Sequence, residues 1–495
     1  MPMTLTNKND QGRLSRRPWL FFGAVLWAAL AAAQWAAFPG QWLGAEGDDA
    51  LYALLSRSLA AGRYALGTVP GDPLFANFTP GLPFLLLPAG AFVPEGAAGY
   101  QLVCFLSLLV CDALVFLTLR RRAGAPGAAA VTAAFALNPL VLSRAGVVMP
   151  EVPGLALALA ALWCADRPRP APGWAAGLAA GAAYLVRPGL LPLFPALALA
   201  YAARGRRKDA AQSAAASAAV WGLWRLWASS FGGVSDLREG LGAVASAGWD
   251  VWPRIAAANL GALVELWGRT VTYSGEPGGP ALAAGALLAA AAARGLWAGL
   301  RLRPKAWAAF LALSLVLHAA WPWWYERYLV GLLPFLLLAA WRGARSLGGP
   351  RWAPAAALAA LAVVPLAVQG RAVARRAAES APPWDAYRVL RALPPEGLVA
   401  SVRYGADAWY AGRPVVPLPL ADVSAQSLSR GRVRWVYWAG APEAGASLGG
   451  EAPLARSLAA WDGRLAGPGF RRVWQGAGGS VYEVAVGTKV TAGFP

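Results

Sequence analysis

The sequence predicts a polytopic α-helical membrane protein of about 11–13 spans, followed by a small α/β unit. Three observations carry that prediction. Of the 495 residues, 58% are hydrophobic and only 14% charged, with a mean hydropathy of +0.45. A water-soluble domain that apolar would expose large sticky surfaces. Apolar runs recur along residues 18–369. The basic residues fall in short clusters between these runs, so the net charge of +19 reads as a topology signal and not as a nucleic-acid surface. The wealth of Ala and Gly suits helices packed closely through small residues.

The first element is the apolar run 18–38, preceded by Lys8, Arg13, Arg16 and Arg17. It is long enough to span and has no Ala-x-Ala cleavage pattern before the acidic patch that follows, so a retained helix is expected. Further spans are expected at 99–119, 126–142, 152–165, 173–187, 189–203, 210–230, 280–300, 306–323, 328–342 and 352–369. With the N-terminus inside, the inner connections hold Arg120 to Arg122, Arg167 and Arg169, Arg204 to Lys208, Arg301 to Lys305, and Arg345 with Arg351. The outer connections hold the acids instead, among them Glu46, Asp48, Asp49, Glu151, Glu276 and Glu326. This alternation obeys the positive-inside rule.

The apolar stretch 80–88 would break the alternation if it spanned. It is short and bounded by prolines, and reads as a re-entrant or surface-lying segment. The outer side then carries two long loops, 39–98 and 231–279, and everything after about residue 370. In that tail a helical stretch at 384–393 precedes strand-like runs at 398–402, 415–418, 433–438 and 480–484, the pattern of a small α/β domain. Cys104, Cys111 and Cys164 lie in apolar runs without metal-binding spacing. No phosphate-binding G-x-x-x-x-G-K-[ST] loop occurs, which argues against ATP-driven work by this chain alone.

Several polar residues stand out against this background. In Ala45-Glu46-Gly47-Asp48-Asp49-Ala50-Leu51-Tyr52, a helix starting near Asp48 puts Asp48 and Tyr52 on one face and the acids at its positive end. A capped surface helix explains the same pattern. Glu151 opens a span on the same side, where a carboxylate can snorkel to water, or act with Asp48 as a base and orienting pair or as ligands to a divalent Mg, Mn or Zn ion. Trp321-Pro322-Trp323-Trp324-Tyr325-Glu326-Arg327-Tyr328 is an aromatic belt that also holds an adjacent Glu-Arg pair. Arg327, and Arg187 in Leu185-Val186-Arg187-Pro188, are donors suited to phosphate oxygens, although snorkelling to headgroups explains arginines at such positions equally well. His318, the single histidine, is ordinarily a packed helix residue; a ligand or relay role is the sharper alternative.

This arrangement resembles the GT-C superfamily of integral-membrane glycosyltransferases, in the bacterial branch similar to protein O-mannosyltransferases and lipid A aminoarabinose transferases. The resemblance rests on Asp48-Asp49-Ala50-Leu51-Tyr52 with Ala60-x-Gly62-Arg63-Tyr64, then Thr79-Pro80-Gly81-Leu82-Pro83, Glu151, Arg187-Pro188, and Arg327-Tyr328-Leu329 through Pro334. Tyr410-Ala411-Gly412-Arg413 before a strand adds to it. It covers most of the chain through short motifs in a fixed order.

The resemblance implies a GT-C-like membrane domain over 1–370, an outer-face α/β domain over 371–495, and transfer of a sugar from a polyprenyl-phosphate donor. Asp48 would be the catalytic base or metal-linked carboxylate and Glu151 its support. Arg327, Arg187 and Arg63 would bind the donor phosphate, with Asp49, Tyr52, Glu326 and Tyr328 supporting, and Asp48, Glu151 and His318 as the ligands if a metal is used. Two departures are Asp49, where the family commonly has Glu, and Thr79, where some members have Lys. The expected setting is a bacterial cytoplasmic membrane, N-terminus inside, with membrane lipids and an acceptor glycan, lipid or protein as partners and no nucleic acid. A lipid-linked-sugar flippase and a non-catalytic assembly subunit are the alternatives.

Overall fold

A computed structural model of the chain describes residues 17–38, 42–44, 47–67, 74–92, 97–167, 170–230, 242, 251–272, 278–301, 305–321, 326–348, 357, 382–419, 424–440 and 460–485. Most of the expected span 352–369, residues 231–241, 243–250 and 273–277 of the loop 231–279, and residues 322–325 of the aromatic stretch lie outside the described residues.

The first half is helical. α1 (Arg17–Ala36) is followed by α2 (Asp49–Ala60), α3 (Gly81–Phe92) and α4 (Ala97–Ala136). The segment expected to be re-entrant is thus α3, a helix that tolerates Pro88 inside it. The two spans expected at 99–119 and 126–142 are one helical run broken at Gly124, whose φ of 71° and ψ of 172° are not helical. The run stops at Ala136, six residues before the expected end. Asn138 accepts a hydrogen bond from the Leu140 amide and caps a separate turn, α5 (Pro139–Leu142). α6 (Glu151–Asp166), α7 (Gly173–Val186), α8 (Leu193–Ala202) and α9 (Arg207–Ser229) follow. Pro188 forces the exit from α7, since Arg187 before it takes an extended conformation, φ −144° and ψ 107°.

α10 (Trp252–Thr272), α11 (Gly279–Leu300), α12 (Ala306–Ala320) and α13 (Tyr328–Arg345) complete the helices of this part. α10 lies within the expected loop 231–279, and Arg254, Glu265 and Arg269 interrupt its apolar residues. Its buried stripe of Leu263, Leu266 and Trp267 and its close packing on α11 make it a helix. A Cβ at Gly268 or at Gly285 would overlap the carbonyl oxygen of Ala281 or of Val264 across that interface. The same device joins α11 to α13 through Gly295 and Gly343, and α7 to α9 through Gly173 and Gly177. Among the described residues, Ala97–Arg120, Gly279–Leu300 and Tyr328–Arg345 are long and apolar enough to cross a membrane, and shorter apolar helices pack around them.

The C-terminal part is a five-stranded mixed sheet. α14 (Trp384–Ala392), β1 (Leu398–Ser401), α15 (Tyr404–Ala411), β2 (Val415–Pro417), α16 (Ala425–Arg430), β3 (Val433–Trp438), β4 (Phe470–Gly476) and β5 (Gly479–Val484) give the order β2-β1-β3-β5-β4. β1 pairs parallel with β2 and β3, while β5 pairs antiparallel with β3 and β4. Alternate side chains of β3 enter opposite cores, Trp435 and Tyr437 on one face and Val436 and Trp438 on the other. β4 lies outside the strand-like runs of the sequence. It is an edge strand with exposed Arg471 and Arg472, so it lacks the apolar alternation of its neighbours.

Candidate active site

The acidic stretch starts a helix, as its residue types predict, and its two aspartates do different work. Asp48 is the N-cap of α2, but its side chain makes no capping hydrogen bond and is 39% exposed. Asp49 is buried. Both its carboxylate oxygens accept from the Gly44 amide at 2.8 Å, and Oδ1 also accepts from the Ala50 amide at 2.8 Å. Gly44 has a φ of +117°, a conformation open to glycine, and a Cβ there would overlap Ala406. Asp49 therefore fixes the loop that aims Asp48. One helical turn on, Tyr52 stacks on Phe78 with ring centroids 4.8 Å apart.

Asp48 faces a chain of charges from three distant helix ends. Arg327, the N-cap of α13, lies between two carboxylates: its guanidinium is 3.6 Å from Asp48 Oδ2, and its Nε is 3.6 Å from Glu151 Oε1. Arg187, at the exit from α7, pairs with the same Glu151 oxygen. Glu151 is the first residue of α6 and is 2% exposed, so its charge rests on these partners and on the helix N-terminus. Arg144 acts on it electrostatically as well. Among the described residues three guanidinium groups act on the carboxylates of Asp48 and Glu151, a setting that suits an anionic ligand.

These residues line a cavity of about 150 Å3 whose wall includes Asp48, Tyr52, Thr79, Glu151, Arg187, His318, Arg327 and Tyr328. The structure thus joins most of the residues singled out from sequence. Tyr328 lies under the Arg187 guanidinium, 5.3 Å from ring centroid to Cζ, and edge-on to His318. Trp321 of the aromatic stretch also lines the wall, as do Asn77 and Phe78, which carry no motif signal of their own beyond proximity to Thr79.

Two expected residues stand elsewhere. Arg63 is exposed beyond the C-terminal end of α2, the opposite end from Asp48, and is not in this wall. Glu326 points away to Arg269, 3.2 Å distant, and is half-exposed.

The ligand set expected for a metal does not assemble. Among the described residues no group of three or more His, Cys, Asp or Glu side chains could hold a metal ion. The Arg327 cation stands between Asp48 and Glu151, so the two carboxylates do not converge on one ion. Two carboxylates held apart by a guanidinium do not fit a resident divalent cation.

The sheet-bearing part supports the helix that carries Asp48. α15 lies against α2 so closely that a Cβ at Gly405 would come within 2.7 Å of Leu51. The Leu43 amide donates to the Tyr410 hydroxyl at 2.8 Å, and the Arg57 guanidinium sits 3.5 Å over the Trp409 ring.

No protein-family model matches the chain, and no curated protein matches it by sequence. Solved structures do. ArnT from Cupriavidus metallidurans, bound to undecaprenyl phosphate, is similar at a TM-score of 0.54 and 16% identity, over 93% of this chain and 97% of that one. The Archaeoglobus fulgidus oligosaccharyltransferase in complex with Zn and sulfate is similar at 0.56 and 14% identity, over 87% of this chain and 70% of that one. At these identities the likeness is one of fold. The chain has the fold of the GT-C glycosyltransferases.

Proposed function

We propose that the protein is an inverting glycosyltransferase that moves a sugar from a polyprenyl-phosphate donor to an acceptor at the outer face of a bacterial cytoplasmic membrane. The observation that carries this reading is the charge chain Asp48–Arg327–Glu151–Arg187 lining one cavity. Its fold is that of ArnT, which was solved with undecaprenyl phosphate. Residues 1–370 would form the membrane catalytic domain and 371–495 an outer-face domain that braces α2.

In this reading Asp48, the most exposed member of the chain, accepts the proton of an acceptor hydroxyl. The freed oxygen attacks the anomeric carbon from the face opposite the phosphate, and the bond from that carbon to the phosphate oxygen breaks. Arg327 and Arg187 stabilise the negative charge left on the departing polyprenyl phosphate. Glu151 holds both arginines in place, and Tyr52 and Tyr328 shape the wall. The two arginines of the wall suit a phosphate, and its apolar residues suit a lipid-linked substrate.

The test is mass spectrometry of glycans and lipids from cells with the gene, without it, and with Asp48→Asn. The expected result is loss of one sugar from one envelope molecule in both altered strains. Full complementation by correctly inserted Asp48→Asn protein overturns the assignment of Asp48 as base.

A further inference from the structure

The cavity wall holds a polar side chain that the reaction above does not use. His318 lies near the end of α12, half-buried, and is held from three directions. The side-chain amide of Asn259, on α10, donates to the carbonyls of His318, Ala319 and Trp321 at 3.1, 3.2 and 2.7 Å and so anchors the end of the helix. The imidazole stands edge-on to Tyr328, with ring centroids 5.3 Å apart. Its Nδ1 lies 2.7 Å from the Ser314 carbonyl oxygen, one turn back on the same helix.

That last contact fixes the chemistry of the other nitrogen. A carbonyl oxygen only accepts, so Nδ1 carries the proton of this hydrogen bond. In the neutral ring Nε2 then holds a lone pair and acts as an acceptor. Arg187, whose guanidinium lies over the adjoining Tyr328 ring, opposes a further positive charge there. Among the described residues Nε2 has no hydrogen-bond partner and is not sealed in, so its lone pair is open to the cavity. A ring held this firmly, with one acceptor left over, is set for a ligand.

An acceptor calls for a donor, and this narrows what His318 meets. The free oxygens of a glycosyl phosphodiester only accept, so they suit Arg187 and Arg327 and not Nε2. A polyprenyl chain has no donor at all. Asp48, at the other end of the charge chain, takes the proton of the acceptor hydroxyl. The donor sugar remains, and its hydroxyls donate. Resting on the glycosyltransferase reading, we infer that His318 is a specificity-determining residue whose Nε2 accepts a hydrogen bond from a hydroxyl of the donor sugar. A sugar without that hydroxyl would leave the lone pair unmatched and bind less well.

Because His318 is the single histidine of the chain, isotopic labelling of histidine ring nitrogens reads this one imidazole. The full-length protein in bilayers is recorded by solid-state NMR alone, with undecaprenyl phosphate, and with undecaprenyl-phosphate-linked mannose, glucose or arabinose. The free protein should show one protonated and one lone-pair nitrogen. The lone-pair signal should move with a sugar-bearing lipid and stay in place with undecaprenyl phosphate. His318→Phe keeps a flat ring without the acceptor. It should weaken binding of that sugar lipid about 2–10-fold, as for loss of one hydrogen bond, and leave undecaprenyl phosphate binding unchanged. A ring charged or protonated at Nε2 in the free protein overturns the inference. So does an equal response to undecaprenyl phosphate, an unmoved signal while a sugar lipid binds, or equal weakening of both lipids by His318→Phe. Binding of none of the sugar lipids fells the donor reading together with this assignment, whereas the preceding outcomes fell the assignment alone.

Discussion

The Nε of Arg327 lies 3.6 Å from Oε1 of Glu151, joining the start of α13 to the start of α6 beneath the carboxylate of Asp48. A guanidinium flanked by two acids has its orientation fixed before any substrate arrives. Its remaining hydrogen-bonding capacity is what a phosphate would use.

Asp48→Asn is expected to lower sugar transfer by about 10²–10⁴-fold, the range for loss of a general base. Folding should be nearly unaffected, because the 39% exposed Asp48 pairs with Arg327 at 3.6 Å, a geometry that contributes about 0–1 kcal/mol. Transfer rates and melting temperatures of the purified variant check both halves.

Glu151→Gln should behave in the opposite way and destabilise the fold itself. It leaves the Arg187 and Arg327 charges facing each other with no buried anion between them, at a cost of about 3–5 kcal/mol. Adding Arg187→Gln should restore part of the loss in thermal unfolding. No restoration would mean that Glu151 acts mainly through other contacts.

Two glycines of α13 separate packing from propensity. Gly343→Val should weaken the α11–α13 contact and lower the melting temperature, since any Cβ there meets the Ala291 carbonyl. Gly331→Ala, with nothing within 4 Å of the added carbon, should be neutral or stabilising by about 0.5–1 kcal/mol.

Asp407 on α15 should give the protein a pH-dependent stability. Burial pushes its carboxyl up to about 6, against the Arg403 charge and hydrogen bonds from Ser401 and Tyr387 that pull it down. The Tyr387 hydroxyl donates to its Oδ1 at 3.0 Å. The folded value lies above the roughly 3.9 of an unfolded aspartate, so the folded chain binds the proton more tightly. The contribution of Asp407 to stability is therefore greatest below about pH 4 and is lost as pH rises through about 6. Asp407→Asn should flatten that decline in melting curves recorded from pH 4 to 7.

Much of this molecule is legible in one dimension because the signals are local. Apolar runs separated by basic clusters mark the helices, and the β-branched and aromatic runs at 398–402 and 433–438 mark β1 and β3, since hydrophobic burial and backbone period act over a few residues. Asp48, Glu151, Arg187 and Arg327 are conspicuous for the related reason that charge is costly beside apolar helices. Their partnership is not local. Only the tertiary structure sets Arg327 between Asp48 and Glu151 and sends Glu326 to Arg269, because each depends on where distant helix ends meet. The same holds for α10, whose interrupted apolar pattern becomes a helix face once Gly268 and Gly285 bring α11 against it. Sequence determined which residues are too polar for their surroundings; packing decided which of them answer one another.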